Sequence, residues 1–331
     1  MAVTLKDVAE LAGVSRSAVS RTFTEGASVS SKTRAKVMTA AQKLGYSPNA
    51  LASSLTTGRT KMIGLVSNNF HNPIFLEVFD LFTRGLHERA LRPLLVNLTD
   101  ETDPDASIRM LRQYSVDGVI IASSTLPPTF AEAFRQAGIP TVHSFGRHAE
   151  QPTVDILGID NIAAGRLAAR TLIEHGYTDI GFMGGPSDAT STVDRETGFL
   201  LECAARGDVT ASTSFADAYS FDAGRAQMQQ VLKAGPAQAY FCGDDVLSCG
   251  AISALETAGL RVPEDVGIIG LNDMKMSAWA NIDLTTIHNP FSQIIGASIA
   301  RVTALIEDPS LTPEARLFEC SVVERGTLKA R

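Results

Sequence analysis

Between Val14 and Arg21 the chain reads Val-Ser-Arg-Ser-Ala-Val-Ser-Arg, two guanidiniums and three hydroxyls with no acid among them. Those groups suit one chemistry. The planar fork of an arginine can pair with O6 and N7 of a guanine, and hydroxyls can donate to phosphate oxygens. Such groups need a rigid element to aim them. Upstream, Leu5, Val8, Ala9 and Leu11/Ala12 are apolar at helical spacing, Thr4 stands as an N-cap and Asp7 follows three residues on. Gly13 can take the left-handed conformation that ends a helix, and Ser15 can cap the next. In that second helix Ala18 and Val19 would face inward, with Arg16, Ser17 and Arg21 outside. Two short helices at a glycine-containing turn make a helix-turn-helix, whose second helix enters a DNA major groove. A packed αα-corner would show the same pair.

A third helix is expected over Ser31 to Leu44, with Val37, Ala41 and Leu44 on one face and Gly45 as its stop. Ser47 then caps, and Pro48 opens, a short helical candidate from Asn49 to Leu55 whose apolar face is Leu51, Ala52 and Leu55. Seven or eight residues cannot hold a helix alone in water, so a partner helix and DNA would have to stabilise it. Thr56 to Thr60 reads as a linker. Charge divides at the same place. Residues 1–60 hold eight Lys and Arg against three Asp and Glu, a net +5, so the rest carries −12 of the chain's total of −7. A basic headpiece on an acidic body fits a modular DNA binder, because phosphate attraction is screened beyond about 10 Å.

From Lys61 onward, short apolar runs alternate with amphipathic helices. Strands are expected at Met62–Val66, Leu94–Val96, Gly118–Ala122 and Thr141–His143, then at Ile180–Met183, near Ser212–Phe215, and at Ala239–Cys242, Val266–Gly270 and Leu284–Ile287. Helices fall between them, the last from Phe291 to Glu307, before a final strand near Leu317 to Val323. This alternation specifies parallel sheets wound on both faces, with ligands at the carboxyl ends of the strands.

Several chemistries find no support. The sequence has no GxxxxGK[ST] loop, no GxGxxG after a strand, no GxSxG elbow and no HExxH helix. The six histidines are scattered, and Cys203, Cys242, Cys249 and Cys320 show no zinc spacing. We therefore expect no catalytic residue, metal or cofactor. Lys6, Asp7 and Glu10 interrupt any apolar signal core, and no run reaches membrane-spanning length. The expectation is a reduced, cytoplasmic protein.

Leu5-Lys6-Asp7-Val8-Ala9, Ala12-Gly13-Val14-Ser15, Val19-Ser20-Arg21, Leu44-Gly45-Tyr46-Ser47-Pro48-Asn49 and Leu51-Ala52-x-x-Leu55 together resemble the LacI/GalR family of bacterial transcription regulators. The resemblance continues through Asp160-Asn161-x-x-Ala164-Gly165, His175-Gly176-Tyr177-x-x-Ile180, Arg195-x-x-Gly198-Phe199 and Leu284-Thr285-Thr286-Ile287. It implies an α/β chain with an N-terminal helix-turn-helix headpiece (1–47), a hinge helix and linker (48–60), and a two-lobed periplasmic-binding-protein-like core of doubly wound parallel sheets (61–331). The first lobe would take about 61–160 plus 291–320, and the second about 161–290 plus 321–331. The C-terminal helix would return to the first lobe and the last strand would cross back to the second.

On the DNA side, Arg16 and Ser17 are the candidates for base contacts, and Arg21 for base or phosphate. Thr4, Ser15, Ser20, Ser31, Thr33 and Asn49 are candidates for phosphates. Ser20, mid-helix, could instead bond its own backbone. Leu55 is either a dimer contact or, as the resemblance implies, a wedge inserted from the minor groove. The resemblance points Arg195 into an effector cleft. Asp245 matches an aspartate that binds ligand or caps its helix. Asn69, Phe70, Phe75 and Arg147 line the cleft by position, Asp160 is a cleft acid or a tie between lobes, and Asn272 completes the set. Many sugar-binding relatives carry carboxylates where Gly146 and Asn272 stand here. Their loss, beside Arg195 and Arg147, suggests an anionic effector such as a sugar acid or phosphorylated sugar. The expected function is a ligand-responsive repressor, a homodimer on a pseudo-palindromic operator of double-stranded DNA. The competing reading is a solute-binding receptor without DNA function.

Overall fold

The computed structural model describes residues 3–24, 26–49, 54, 58–68, 70–98 and 103–331. It divides into two compact units, Met1–Thr60 and Lys61–Arg331. Leu55 and Asn69, and all of the Asn49–Leu55 segment except Asn49 and Ser54, lie outside the described residues.

The first unit is three helices: α1 (Leu5–Ala12), α2 (Arg16–Phe23) and α3 (Ser31–Leu44). Thr4 and Asp7 form a complete capping box, and Gly13 ends α1 at φ 63°, ψ 43°. Ser15 caps α2 by accepting from the Ala18 N–H, and Arg34 reaches from α3 to donate to the Thr22 carbonyl at 2.9 Å. Val8, Ala9, Ala12, Val19, Val37, Ala40 and Ala41 are buried together, with Phe23 and Tyr46 packed at the edge, ring centres 5.7 Å apart. This small core fixes α2 through Val19 and Thr22 and leaves its opposite face in solvent.

The second unit begins with β1 (Met62–Ser67), α4 (Ile74–Glu88), β2 (Arg92–Asn97), α5 (Pro104–Gln113), β3 (Gly118–Ala122), α6 (Pro128–Gln136), β4 (Thr141–Ser144) and β5 (Asp155–Ile159). It continues through α7 (Asn161–Glu174), β6 (Asp179–Gly184), α8 (Thr190–Arg206), β7 (Thr210–Phe215), α9 (Phe221–Ala234), β8 (Ala239–Cys242) and α10 (Asp245–Thr257). The chain then runs β9 (Gly267–Asn272), a 3-10 turn (Lys275–Ala278), β10 (Thr286–His288), α11 (Phe291–Glu307), β11 (Ala315–Phe318) and β12 (Ser321–Val323). One sheet has the order β11-β5-β4-β3-β1-β2 and is parallel throughout. The other has the order β12-β10-β9-β8-β6-β7 and is parallel except for β12, which runs antiparallel to β10. Central strands such as β3 are buried on both faces, which is why they read as unbroken apolar runs.

The chain crosses between the lobes after β5, after β10 and after β11. Helix α11 packs on α4 and the first sheet, as the family resemblance implied. Two sequence expectations need correction. The run near Leu317–Val323 is not one strand: β11 pairs with β5 in the first lobe and β12 with β10 in the second, because the chain changes sheet at Glu319–Cys320. β5 itself was not read from the sequence. It is buried along its whole length between β4 and β11, so Asp155 at its start and Gly158 within it hide no exposed face and show no alternation.

Candidate functional site

A cavity of about 530 Å³, counting its open mouth, lies between the two lobes. Its first-lobe wall is apolar: Ile74, Phe75 and Val78 of α4, Phe145 after β4, Ile159 at the end of β5, and Phe291 opening α11. Phe145 and Phe291 meet edge to face at 5.5 Å, with Phe145 held at φ 67°. The polar groups come from the ends of strands and the helix starts after them: Asn72, Ser124, Asn161, Arg195, Tyr219, Asp244, Asn272 and Asn289. This is where doubly wound sheets place ligands, because strand carboxyl ends release loops on one side only.

Arg195 is almost wholly buried and held by two bonds, Nε donating to Asn161 Oδ1 at 2.8 Å and Nη1 to the Gly243 carbonyl at 2.7 Å. Its placement depends on two glycines. A Cβ on Gly165 would lie 2.1 Å from the Arg195 carbonyl oxygen, and one on Gly198 would lie 1.9 Å from that of Ile162. Only without side chains can α7 and α8 touch backbone to backbone, bringing Asn161 against Arg195. Asp244 caps α10, accepting from the Val246 N–H. Its other oxygen accepts from Asn72 of the first lobe and from Asn272, each at 2.9 Å. Burial, then the charge of Asp245, pushes the Asp244 carboxyl up to about 7 against the pull of these donors and Arg195. Asn289 donates to Asn272 and its own carbonyl oxygen, buried, has no partner among the described residues.

Of the residues expected in the cleft, Phe75, Arg195 and Asn272 line the cavity. Asn69 lies outside the described residues, and the rest sit elsewhere. Asp245 is fully buried beside the cavity and its oxygens accept from Thr286, the Met274 N–H and Ser277, so it ties β9, β10 and the 3-10 turn to α10. Burial raises it to about 6. The cap of that helix is its neighbour Asp244, one residue earlier. Arg147 is half-exposed and bonds Asp194 at 2.6 Å, a bridge between lobes rather than a cleft cation. Asp160 is exposed and caps α7 through the Ala163 N–H. Phe70 packs on Phe79 at 4.7 Å, off the cavity wall. Gly146 has its own reason: a Cβ there would meet the His143 ring at 2.7 Å. That ring is buried, bonds the Ser123 carbonyl through Nε2, and is lowered by burial to about 4, so it stays neutral. Sequence reasoning gave no cleft role to Asn72, Asn161, Tyr219, Asn289, Phe145 or Phe291. The available signal was position, since most of them follow a strand end within a few residues.

Among the described residues, four hydrogen bonds join the lobes around this cavity. Besides Asn72 to Asp244 and Arg147 to Asp194, Thr190 donates to the Ser124 carbonyl at 3.0 Å and the Lys275 N–H donates to Glu77 at 3.1 Å.

On the first unit, Arg16, Ser17, Ser20 and Arg21 are all exposed on the solvent face of α2, and Arg16 and Arg21 have no ion-pair partner among the described residues. Ser20 makes no bond to its own backbone, leaving its hydroxyl on the open face. Ser15 shares a 2.9 Å hydroxyl bond with Ser17. Thr33 accepts from Ser30 and keeps its own O–H to give, and Ser31 and Asn49 are exposed. Thr4 is different, because its hydroxyl donates to Asp7 and accepts from the Asp7 N–H, so it acts as a cap. Among the described residues no group of three or more potential ligands could hold a metal ion, and no helix is long and apolar enough to cross a membrane.

Known proteins match both units. The family described as bacterial regulatory proteins, lacI family, matches residues 4–49, and the periplasmic binding protein-like domain matches residues 169–328. The HTH-type transcriptional repressor PurR of Proteus mirabilis is 35% identical over 296 residues, 87% of this chain and 85% of the relative. PurR of Yersinia enterocolitica is 34% identical over 340 residues, 98% of each. Among solved structures, the Lac repressor dimer bound to operator and the anti-inducer ONPF covers all of both chains at a TM-score of 0.88 and 25% identity. The transcriptional regulator CelR in complex with cellobiose gives 0.73 at 28% identity, over 98% of this chain and 99% of that one. These relatives are transcriptional regulators, not enzymes. An arginine-bearing helix-turn-helix, a two-lobed α/β core and relatives above 30% identity across most of the chain agree: this protein belongs to the lacI family of bacterial regulatory proteins.

Proposed function

We propose that this protein represses transcription as a homodimer on a pseudo-palindromic operator and that a small polar metabolite, bound between the core lobes, controls its grip on DNA. The solvent face of α2 carries the reading. Arg16 and Ser17 at its start reach base edges, Arg21 one turn on holds base or phosphate, and Ser15, Ser20, Ser31, Thr33 and Asn49 fix register on the backbone. Leu55 serves as the minor-groove wedge. That the Lac repressor is seen as a dimer on operator, and CelR with cellobiose, supports the same use of the two units here. The test is selection of operator from random duplex DNA by the full chain, followed by mobility shift. Inverted-repeat half-sites with strongly salt-dependent affinity are expected. Recovery of no enriched sequence would leave a solute-binding receptor instead.

The effector belongs to the class of sugar acids or phosphorylated sugars. Arg195 Nη2 and Asn161 Nδ2 have no chain partner among the described residues and can donate to carboxylate or phosphate, Asn289 Oδ1 can accept from a hydroxyl, and three Phe rings flank the ligand's apolar faces. Ligand differing in affinity for the open and closed lobes shifts their balance, and operator and effector then change one another's affinity by the same factor. Calorimetry on matched pairs, each a sugar and its acid or phosphate, distinguishes the classes. Tighter binding of the neutral member, with Arg195→Ala weakening both members equally, refutes the anionic assignment.

A further inference from the structure

We propose that closure of the two lobes takes up a proton, held on the Asp244 carboxyl. This rests on the two-lobe response proposed above, but its test needs neither effector nor DNA, so its failure would leave that reading standing.

Asp244 stands where three segments converge: its own helix α10, the Asn72 turn of the first lobe, and the end of β9 at Asn272. Only 4% of it is exposed, and the bond from Asn72 is one of the four that join the lobes. Both amides are neutral donors. Among the described residues the one cation facing it is Arg195 of α8, which spends Nε on Asn161 and Nη1 on the Gly243 carbonyl and makes no direct bridge to Asp244. On α10 its neighbour Asp245 is wholly buried, but three donors hold that charge in place. Asp273, after β9, is paired with Arg325 at 2.7 Å and His288 at 3.0 Å. The thiols of Cys242 and Cys249 are pushed further up by burial and stay neutral, and the Tyr219 hydroxyl is bonded to Thr192. Each of the two adjacent buried carboxyls therefore accepts from three neutral donors and neither is bridged by a guanidinium, but only Asp244 lines the cavity and is tied to the first lobe, through Asn72.

In the closed form the carboxyl is raised to about 7, with burial the larger cause and Asp245 the second. Separation of the lobes takes away the apolar first-lobe wall and gives the carboxyl water; the loss of the Asn72 donor works the other way, but burial is the largest cause, so the carboxyl returns toward the ordinary carboxylate range. The closed state then binds the proton more tightly than the open one. Closure is favoured as pH falls below 7 and disfavoured as pH rises through it, by at most about tenfold per pH unit for one proton.

The experiment places spin labels, through a non-natural residue that spares the native thiols, at exposed Gln113 on α5 and exposed Gln229 on α9. Interlobe distances are recorded on the full chain between about pH 5.5 and about pH 8.5, alongside the infrared band of protonated carboxyl. In the wild type the short-distance population grows on acidification, and a carboxyl band titrates away near neutrality. Asp244→Asn, which mimics the protonated form, loses the pH response and the band that titrates near 7, leaving only a band that titrates lower, from Asp245. Asn72→Ala keeps the carboxyl but removes its interlobe donor, so closure weakens at every pH. Retention of the pH response, or of a band titrating near 7, in Asp244→Asn overturns the proposal. If that variant does not fold, an interlobe distance in Asn72→Ala identical to wild type at every pH does so instead.

Discussion

Replacing Gly165 by alanine tests whether helix contact, rather than the arginine alone, makes the cleft. The new Cβ would stand 2.1 Å from the Arg195 carbonyl oxygen and 2.9 Å from the Phe199 nitrogen, whereas ordinary contact begins near 3.4 Å. Both obstacles are backbone, so no rotamer change relieves them and α7 must part from α8 by about 1.3 Å. Asn161 lies one turn before Gly165 on α7. The same displacement stretches its 2.8 Å bond from Arg195 to about 4.1 Å, past hydrogen-bond reach. Overpacking of this kind costs about 1–3 kcal/mol. At roughly 2–4 °C per kcal/mol the core should unfold about 2–12 °C lower. With Arg195 loosened, effector affinity should fall by the worth of a hydrogen bond to a charged group, on the order of 10- to 150-fold. Thermal unfolding and calorimetry with an effector found by metabolite screening measure the two. Gly296→Ala is the control: it is exposed within α11, nothing lies within 4 Å of its Cβ, and it should gain about 0.4–1 kcal/mol. Wild-type melting and wild-type affinity in Gly165→Ala would refute the argument.

On the DNA side, Arg16→Ala should cost about 1–3 kcal/mol of operator affinity and relax preference at one base pair per half-site, whereas equal losses on operator and random duplex would mark a phosphate contact. Leu55→Ser should weaken operator binding and reduce DNA bending while leaving effector binding unchanged, with unaltered bending as the result against a wedge. Core stability should also depend on pH. Asp244 is raised to about 7 in the folded chain from the ordinary 3.8, so the folded state binds more protons between those values. Its contribution to stability therefore falls as pH rises from about 5 toward 7, at roughly 1.4 kcal/mol per unit at most, with Asp245 adding in the same direction at lower pH and buried His143 opposing, and a melt series in which Asp244→Asn keeps the wild-type slope between about pH 6 and 7 would count against the assignment.

Local chemistry determined what the sequence disclosed. Thr4, Asp7, Gly13, Ser15 and Gly45 act within four residues of themselves, so the starts of α1 and α2 and the stops of α1 and α3 were legible from residue type alone. Strand-and-helix alternation likewise specified the parallel core, because periodicity is a property of a segment. The family motifs could be read but not explained. Asn161, Gly165, Arg195 and Gly198 are spaced along two helices, and only the packing of α7 on α8 shows that the glycines bring the other two together. Tertiary structure also decided between neighbours. Asp244 and Asp245 are chemically equal in sequence, yet one turns into the cavity and the other into the second lobe, since Asp244 is the extended N-cap and Asp245 the first helical residue. Arg147 had a cation's credentials for the cleft and finds Asp194 across the lobes instead. Which carboxylate meets which guanidinium depends on strand order and interlobe distance, and those are set by contacts between residues far apart in the chain, which no local pattern encodes.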